Sequence, residues 1–429
     1  MRILIVTDHY PPFIGGAHRQ SYVLGQKLHQ AGHTLAVATV WHPNVPSTQD
    51  DNGVQVYRLK QSFSWLPSRK NAPPQRHHPP FPDLYTAYHL KKIIRKFKPE
   101  VIHVHGWISY SLALALRGMR TPPPMLVSGR DYGYRCATRS LLYDDKLCSG
   151  PELKKCIGCA NRFYGTPKGL IAVLGVFSGL PLLRGSIGGL HSISKFVRDF
   201  DEKAMMGRRN PATDTRPSVI IPSFLVGLDD TVGLSDQYTD QIPTEPFMLF
   251  VGAIMRRKGV YQLLEAYQQL KPKPPLLVLI GTLEADAPTE FPPGVVILQN
   301  FPHSCVMVAW QRCLFGVVPS LWPEPLGAVV FEAMSRSKAV IGTKPGGHEE
   351  MIADGKTGFL VPLGDVEALR NAMQTLIDNS QMREEFGSAG KASLSRFTAD
   401  AALPQFEALY RRVIEAAAPT AQPEAVLND

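Results

Sequence analysis

Short apolar runs recur along this chain, and most are followed by a longer stretch in which apolar residues sit three or four positions apart. In the first half, the runs at 2–8, 34–40, 53–58, 101–105, 125–128 and 188–193 read as strands. In the second half, those near 247–252, 276–281, 295–298, 314–318, 338–342 and 358–361 do so. Runs that are apolar on both faces and alternate with helical periodicity predict parallel sheets joined by helical crossovers. The alternation lapses over roughly 205–245, a polar stretch containing Gly and Pro, so two doubly wound α/β domains with a boundary there are expected. The chain's 429 residues also exceed what one core usually holds.

Chemistry concentrates at the strand ends of the second half. Leu314-Phe-Gly-Val-Val-Pro319 reads as a short buried strand, and Pro325 suits a first helical position, so a helix should begin near Leu326. The amides of Gly327, Ala328 and Val329 would then face a phosphate, helped by the positive end of the helix dipole. Two carboxylates flank this start, Glu324 and Glu332, with seven residues between them. Glu332 would reach ribose hydroxyls, while Glu324 stays in the loop and faces a sugar. Upstream, Gly252-Ala-Ile-Met-Arg-Arg257-Lys258-Gly259 places cations where a departing diphosphate gathers charge. Lys258 and Arg257 are expected to supply that charge, with Arg256 pointing away.

The first half offers a matching set. Its first strand leads into Gly15-Gly16, whose lack of side chains lets the backbone approach a ligand, and a helix should open at Ala17 or His18. It is not the GxGxxG dinucleotide fingerprint. His103-Val-His105-Gly106 ends a strand, where open parallel sheets form their ligand crevice, and His105 brings an imidazole there, a group type suited to hydrogen bonding or proton transfer. Arg130 and Asp131 follow the strand 125–128 on the same side.

In order along the chain stand Tyr10-Pro11-Pro12, Gly15-Gly16, Ala31-Gly32-His33, Phe250-Val251-Gly252, Lys258-Gly259, Pro319-Ser320, Trp322, Glu324-Pro325, Gly327, Glu332-Ala333-Met334, Gly346-Gly347, Glu350 and Thr357-Gly358-Phe359-Leu360-Val361. Together they resemble the retaining glycosyltransferases of family 4. That resemblance implies the GT-B fold, two Rossmann-like domains facing across a cleft. Residues 1–205 would bind the acceptor and 206–397 the nucleotide-sugar donor, with a last helix at 398–417 crossing back onto the first domain. It implies a donor that is a nucleotide diphosphate sugar, UDP- or GDP-linked ahead of ADP-linked, and no catalytic metal. It implies His105, Arg257, Lys258 and Glu324 as catalytic groups. Gly16, Gly327, Ala328, Val329 and Glu332 would bind the donor as well. Gly15, His105, Arg130 and Asp131 would stand on the acceptor side. Three departures stand out: His18 where the family carries Glu, Ala253 where it often carries Arg, and Arg130 where related sequences have His.

Charge narrows the partners. Residues 1–200 hold 26 Lys and Arg against 10 Asp and Glu, whereas the remainder holds 20 against 27. The basic half points to an anionic partner. No nucleic-acid motif, zinc-finger spacing or run of base-stacking aromatics occurs, so nucleic acid is set aside in favour of an anionic membrane surface or a phosphorylated glycan. Lys91-Lys-Ile-Ile-Arg-Lys-Phe-Lys98 interleaves cations with apolar residues, as a helix on a membrane surface does. The apolar stretch Gly169–Leu183 is too short to span a bilayer and is broken by Gly175, Gly179 and Pro181. The chain opens directly on a strand, so no leader is expected, and a cytoplasmic protein, peripheral on the inner face of the membrane, follows.

Cys136, Cys148, Cys156 and Cys159 lie in an insertion over 130–165, spaced for a structural zinc. Asp199-Phe-Asp201 has the D-x-D form but sits in a helical pattern, Lys195–Met206, that turns its carboxylates about 200° apart, as on a solvated face. Leu66–Asp83, with its prolines and His77-His78, reads as an acceptor-side loop. The reading is a glycosyltransferase acting on a hydroxyl of a cell-envelope glycan or glycolipid. A phosphorylase or epimerase on the same scaffold, and a non-catalytic nucleotide-sugar-binding subunit, are the alternatives.

Overall fold

The computed structural model describes residues 1–12, 16–62, 78–207, 210, 213–226 and 235–418. The first half runs β1 (Arg2–Thr7), α1 (Gly16–Gln30), β2 (Thr34–Val40), β3 (Thr48–Asp51), β4 (Val54–Leu59), α2 (Leu84–Phe97), β5 (Val101–His105), α3 (Ile108–Arg117) and β6 (Met125–Gly129). It continues through the hairpin β7 (Leu142–Tyr143) and β8 (Lys146–Leu147), then α4 (Leu153–Tyr164), α5 (Lys168–Arg184), β9 (Ile187–Ser192), α6 (Lys195–Met206) and β10 (Ser218–Ile220). The second half holds α7 (Asp236–Thr239), β11 (Phe247–Val251), α8 (Val260–Gln268), β12 (Leu276–Ile280), β13 (Val295–Leu298), α9 (His303–Arg312) and β14 (Gly316–Val317). It ends with α10 (Ala328–Ser335), β15 (Val340–Lys344), β16 (Gly358–Pro362), α11 (Val366–Asp378), α12 (Ser380–Ser393) and α13 (Ala399–Ala417).

Two doubly wound sheets result. The first has the order β10-β9-β6-β5-β1-β2-β4-β3 and the second β13-β12-β11-β14-β15-β16. Every pair is parallel except the antiparallel edge β3–β4. Alternate residues of a strand face opposite layers, so β1 sends Leu4 and Val6 into a core with α2, α3 and α5, and Ile3 and Ile5 into one with α1 and α13. In the second sheet Leu249 packs with α9 and α10, while Met248 and Phe250 pack with α8 and α11. Helix α13 therefore belongs physically to the first sheet. Lys27–Asp400 at 2.9 Å and His33–Glu407 at 2.8 Å fasten it to the first domain.

Each sheet reverses its winding once, between β1 and β5 and between β11 and β14. Crevices open at such points, beyond the carboxyl ends of the strands. The two domains touch there: Tyr132, Ile193 and Val197 share an apolar cluster with Leu326, Val330 and Met351.

Three expectations needed correction. The edge strand Thr48–Asp51 is polar and escaped the pattern, and β10, with its short run Val219-Ile220-Ile221, lies within the stretch 205–245 read as the boundary yet pairs with β9 in the first sheet. The helix expected from Leu326 begins at Ala328, because Gly327 takes φ 102°, a left-handed conformation that ends the preceding loop rather than continuing a helix from Pro325. The D-x-D pair is not a solvated face: Asp199 is exposed and paired with Lys195 at 2.8 Å, but Asp201 is fully buried against Gly129. The rotation that separates the two residues aims the second at the sheet.

Candidate functional site

The cations of the second half stand where they do because two loops interlock. After β11 the chain makes a single 3-10 turn, Arg256–Lys258, and reverses at Gly259, φ 74°. A β-carbon at Gly259 would overlap the Pro319 carbonyl, so this loop lies directly on the one that follows β14. Leu321 N donates to Arg257 O at 3.0 Å and seals the contact. Lys258 Nζ is thereby brought 2.6 Å from Glu324 Oε1. The same oxygen accepts from Ser320 Oγ at 2.7 Å and Trp322 Nε1 at 2.8 Å.

Glu324 is buried, which pushes its carboxyl up, but the charge of Lys258 and the hydrogen bonds from Lys258 and Ser320 outweigh that and hold it below the usual carboxylate range. It is an ionised, fixed group. Arg257 lies over the Trp322 ring, 5.7 Å from its centroid, whereas Arg256 turns outward to Tyr261 and to Asp145 of the insertion at 3.8 Å.

Helix α10 starts beside this pair. Gly327 supplies no side-chain cap, so the amides of Ala328 and Val329 are left for another acceptor. Glu332, one turn on, is held by α9: Oε2 accepts from Trp310 Nε1 at 3.1 Å, and Oε1 lies 3.3 Å from His303 Nε2. One neighbour went unnoticed in the sequence. His348 is fully buried, its Nδ1 accepts from Thr343 N at 3.1 Å, and its Nε2 faces the α-carbon of Gly327. Burial lowers its basicity, so the ring is neutral and carries its proton on the nitrogen that faces the helix start. Its place beside Gly346-Gly347 was the only available signal.

In the first domain Asp8, also missed, marks the β1–β5 crevice. Its carboxylate accepts from Trp107 N at 3.1 Å and Ile108 N at 2.9 Å, capping α3. Burial raises its pKa to about 6 against the opposing Arg139 charge and the two amide bonds. Gly106, φ 83°, leaves room for it. His105 is buried, its ring 4.2 Å from that of His103. Arg130 is half-buried, its pKa lowered by desolvation to about 10 with Asp131 opposing. Asp131 accepts from Gly133 N at 2.8 Å. The next residue bridges the domains: Tyr132 OH donates to Pro323 O at 2.7 Å, one residue from Glu324, and meets the Trp322 ring edge-on. Gly15 lies outside the described residues, and Gly16 is the first residue of α1.

The insertion gathers the four thiols without making a ligand set of them. Cys136 Sγ is 3.3 Å from Thr138 Oγ1, Cys148 Sγ 3.5 Å from Gly150 O, Cys156 Sγ 3.4 Å from Glu152 N, and Cys159 Sγ 3.8 Å from Leu142 O. Burial, with neighbouring thiols adding, raises the pKa of Cys156 and Cys159. Among the described residues no group of three or more His, Cys, Asp or Glu is arranged for a metal ion. His77 lies outside the described residues, while His78 is buried against Ser111 at 2.9 Å.

Known proteins share both halves. Residues 14–130 match the family described as Glycosyltransferase Family 4, and 237–393 match Glycosyl transferases group 1. The alpha-maltose-1-phosphate synthase of Mycolicibacterium smegmatis is 32% identical over 166 residues, which is 34% of this chain and 42% of that protein. The chain thus spans less than half the length of the curated relatives it first matches. Sucrose-phosphate synthase from Thermosynechococcus elongatus superposes on 96% of this chain and 99% of its own, with a TM-score of 0.69 at 20% identity. Anabaena HepE, solved in complex with UDP-glucose, covers 95% and 98% with a TM-score of 0.62 at 17% identity. At such identities the likeness is one of fold, the GT-B pairing of two parallel-sheet domains.

Proposed function

Because this chain belongs to the group 1, family 4 glycosyltransferases, we propose that it moves a sugar from a nucleotide diphosphate sugar to a hydroxyl of a cell-envelope glycan or glycolipid, with retention of configuration. One observation carries the reading: Lys258, Glu324 and the uncapped start of α10 converge at the β11–β14 crevice. That is a pocket for a charged leaving group with a polar neighbour. HepE, of the same fold, holds UDP-glucose, which supports a nucleotide-sugar donor.

In this reading the amides of Gly327, Ala328 and Val329 hold the diphosphate, and Glu332 binds the ribose. The bond from the anomeric carbon to the diphosphate breaks while one to the acceptor oxygen forms on the same face. The acceptor proton passes to the departing phosphate. Lys258 and Arg257 offset the charge that grows there, worth most in the transition state. Glu324 fixes Lys258 and orients the transferred sugar. His105, Arg130 and Asp131 line the acceptor side, and the backbone of Gly16, at the start of α1, meets the donor from the first domain.

Release of nucleoside diphosphate from UDP-, GDP- and ADP-sugars, with and without glycan acceptors, tests this. Turnover on one donor, reduced about a hundredfold or more in Lys258→Ala, is expected. Donor binding with no release above the Lys258→Ala background would make the chain a nucleotide-sugar-binding subunit instead.

A further inference from the structure

Among the described residues, eleven large apolar side chains stand exposed, and ten of them fall between Leu84 and Phe177. Scattered exposed apolar residues are ordinary, but a contiguous set marks a surface that is covered in use. Two helices present most of it. On α2 the outward residues are Leu84, Tyr85 and Tyr88, with Leu84 74% exposed. On α5 they are Ile171, Leu174 and Phe177, three residues apart, while Ala172, Val173 and Val176 fill the core behind them. The sets are neighbours: Gly175 of α5 packs on Pro80 and Phe81, the residues that lead into α2. Both helices lie on the same layer of the first sheet.

Charge says what covers this face. No Asp or Glu occurs from Leu84 to Pro99, or from Leu153 to Arg198. In those same stretches Lys92, Arg95 and Lys96 stand exposed on α2, and Lys168 and Arg184 bracket α5. Lys92 sits 4.4 Å over the ring of Tyr88, so cation and aromatic share one spot. A protein partner would usually be met by charges of both signs. Apolar side chains, amphipathic aromatics and cations without acids suit the boundary between anionic headgroups and acyl chains. No helix among the described residues is long and apolar enough to cross a membrane, which leaves contact from one side as the mode for this face.

We infer that the face built from α2 and α5 rests on an anionic lipid bilayer. Beyond that acid-free face, Phe163 of α4, 55% exposed, also lines a recess of about 370 Å³ toward the cleft, where Arg256 and Arg257 stand with Asp144, Asp145 and Asp286. A lipid-linked acceptor would reach the cleft from the membrane past Phe163, a corollary that rests on the transferase reading. The docking itself does not.

Flotation of the full chain with vesicles tests the docking. Phosphatidylcholine vesicles containing phosphatidylglycerol should bind it at least tenfold more tightly than pure phosphatidylcholine, less so as salt rises. Leu174→Ser with Phe177→Ser should weaken binding at least tenfold, and Lys92→Gln with Arg95→Gln and Lys96→Gln about a hundredfold at low salt. These side chains face outward, so unchanged melting temperatures should show that both variants fold. Absence of binding to the anionic vesicles, equal binding to neutral ones, or wild-type binding by both folded variants would overturn the proposal. Failure to release nucleoside diphosphate would overturn the transferase reading and leave the vesicle result standing.

Discussion

Glu324 shows how one buried oxygen can organise a site. Three donors, Lys258 Nζ, Ser320 Oγ and Trp322 Nε1, converge on its Oε1. Removing the carboxylate strands an ammonium and two further donors, and unpaired buried groups cost about 1–3 kcal/mol each. Glu324→Ala is therefore expected to lower both turnover and the denaturation midpoint, whereas Glu324→Gln keeps an acceptor and should lower turnover alone. Glu332 sits apart, tied to Trp310 and His303 on α9. Glu332→Ala should weaken nucleoside diphosphate binding about tenfold, with a smaller effect on turnover at saturating donor. Calorimetric titration of both variants separates the roles, and an equal loss of nucleotide affinity would contradict the division.

At the scale of elements, a buried hydrogen-bond chain runs across the first sheet beneath His105. Tyr410 on α13 meets His103 on β5 at 2.8 Å, His103 meets Ser128 on β6 at 2.7 Å, and Ser128 meets His191 on β9 at 2.7 Å. His191 Nε2 then donates to Ile221 O, beyond β10, at 2.8 Å. That last bond sets the direction: every hydroxyl and ring N–H donates the same way, and both imidazoles are neutral. Burial holds His103 well below its ordinary value and His191 at about 3. Between pH 6.5 and about 3 the unfolded chain takes up a proton on His191 that the folded chain refuses, so this residue's contribution to stability falls as pH falls. From pH 7 to pH 5 the loss should be about 2 kcal/mol. Asp8 runs the other way, since its raised pKa stabilises the fold at low pH and that share fades as pH rises through about 6. Urea midpoints should therefore show a shallower decline from pH 7 to pH 5 in His191→Gln than in the parent chain.

Over the whole molecule, the last helix completes the first domain. Phe406, Leu409, Tyr410 and Val413 of α13 are buried with Ile3, Ile5 and Leu126. Residues some 400 positions apart thus share one core, and the run from α12 into α13 returns the chain from the second sheet to the first. Phe406→Ala should cost about 3–5 kcal/mol by opening a cavity there. Because the damaged core lies in the first domain, nucleoside diphosphate affinity at the β11–β14 crevice should stay within about twofold. Thermal unfolding and titration on the same variant check both halves of that expectation.

Most strands were legible because burial on both faces demands continuous apolar residues: β2, β5 and β13 end where the apolar runs end. The donor segments were legible because glycines and prolines at loop ends leave fixed signatures, as at Gly259 and Gly327. Sequence alone therefore determined the two doubly wound sheets and the residue types at their crevices. It did not reveal Asp8, Asp201, His348 or Tyr132 as buried or bridging groups, since each owes its state to partners far away in the chain. Nor did the cysteine spacing fix where the four thiols point. Those outcomes belonged to the tertiary structure, which alone decides which polar groups lose water and which donors meet them.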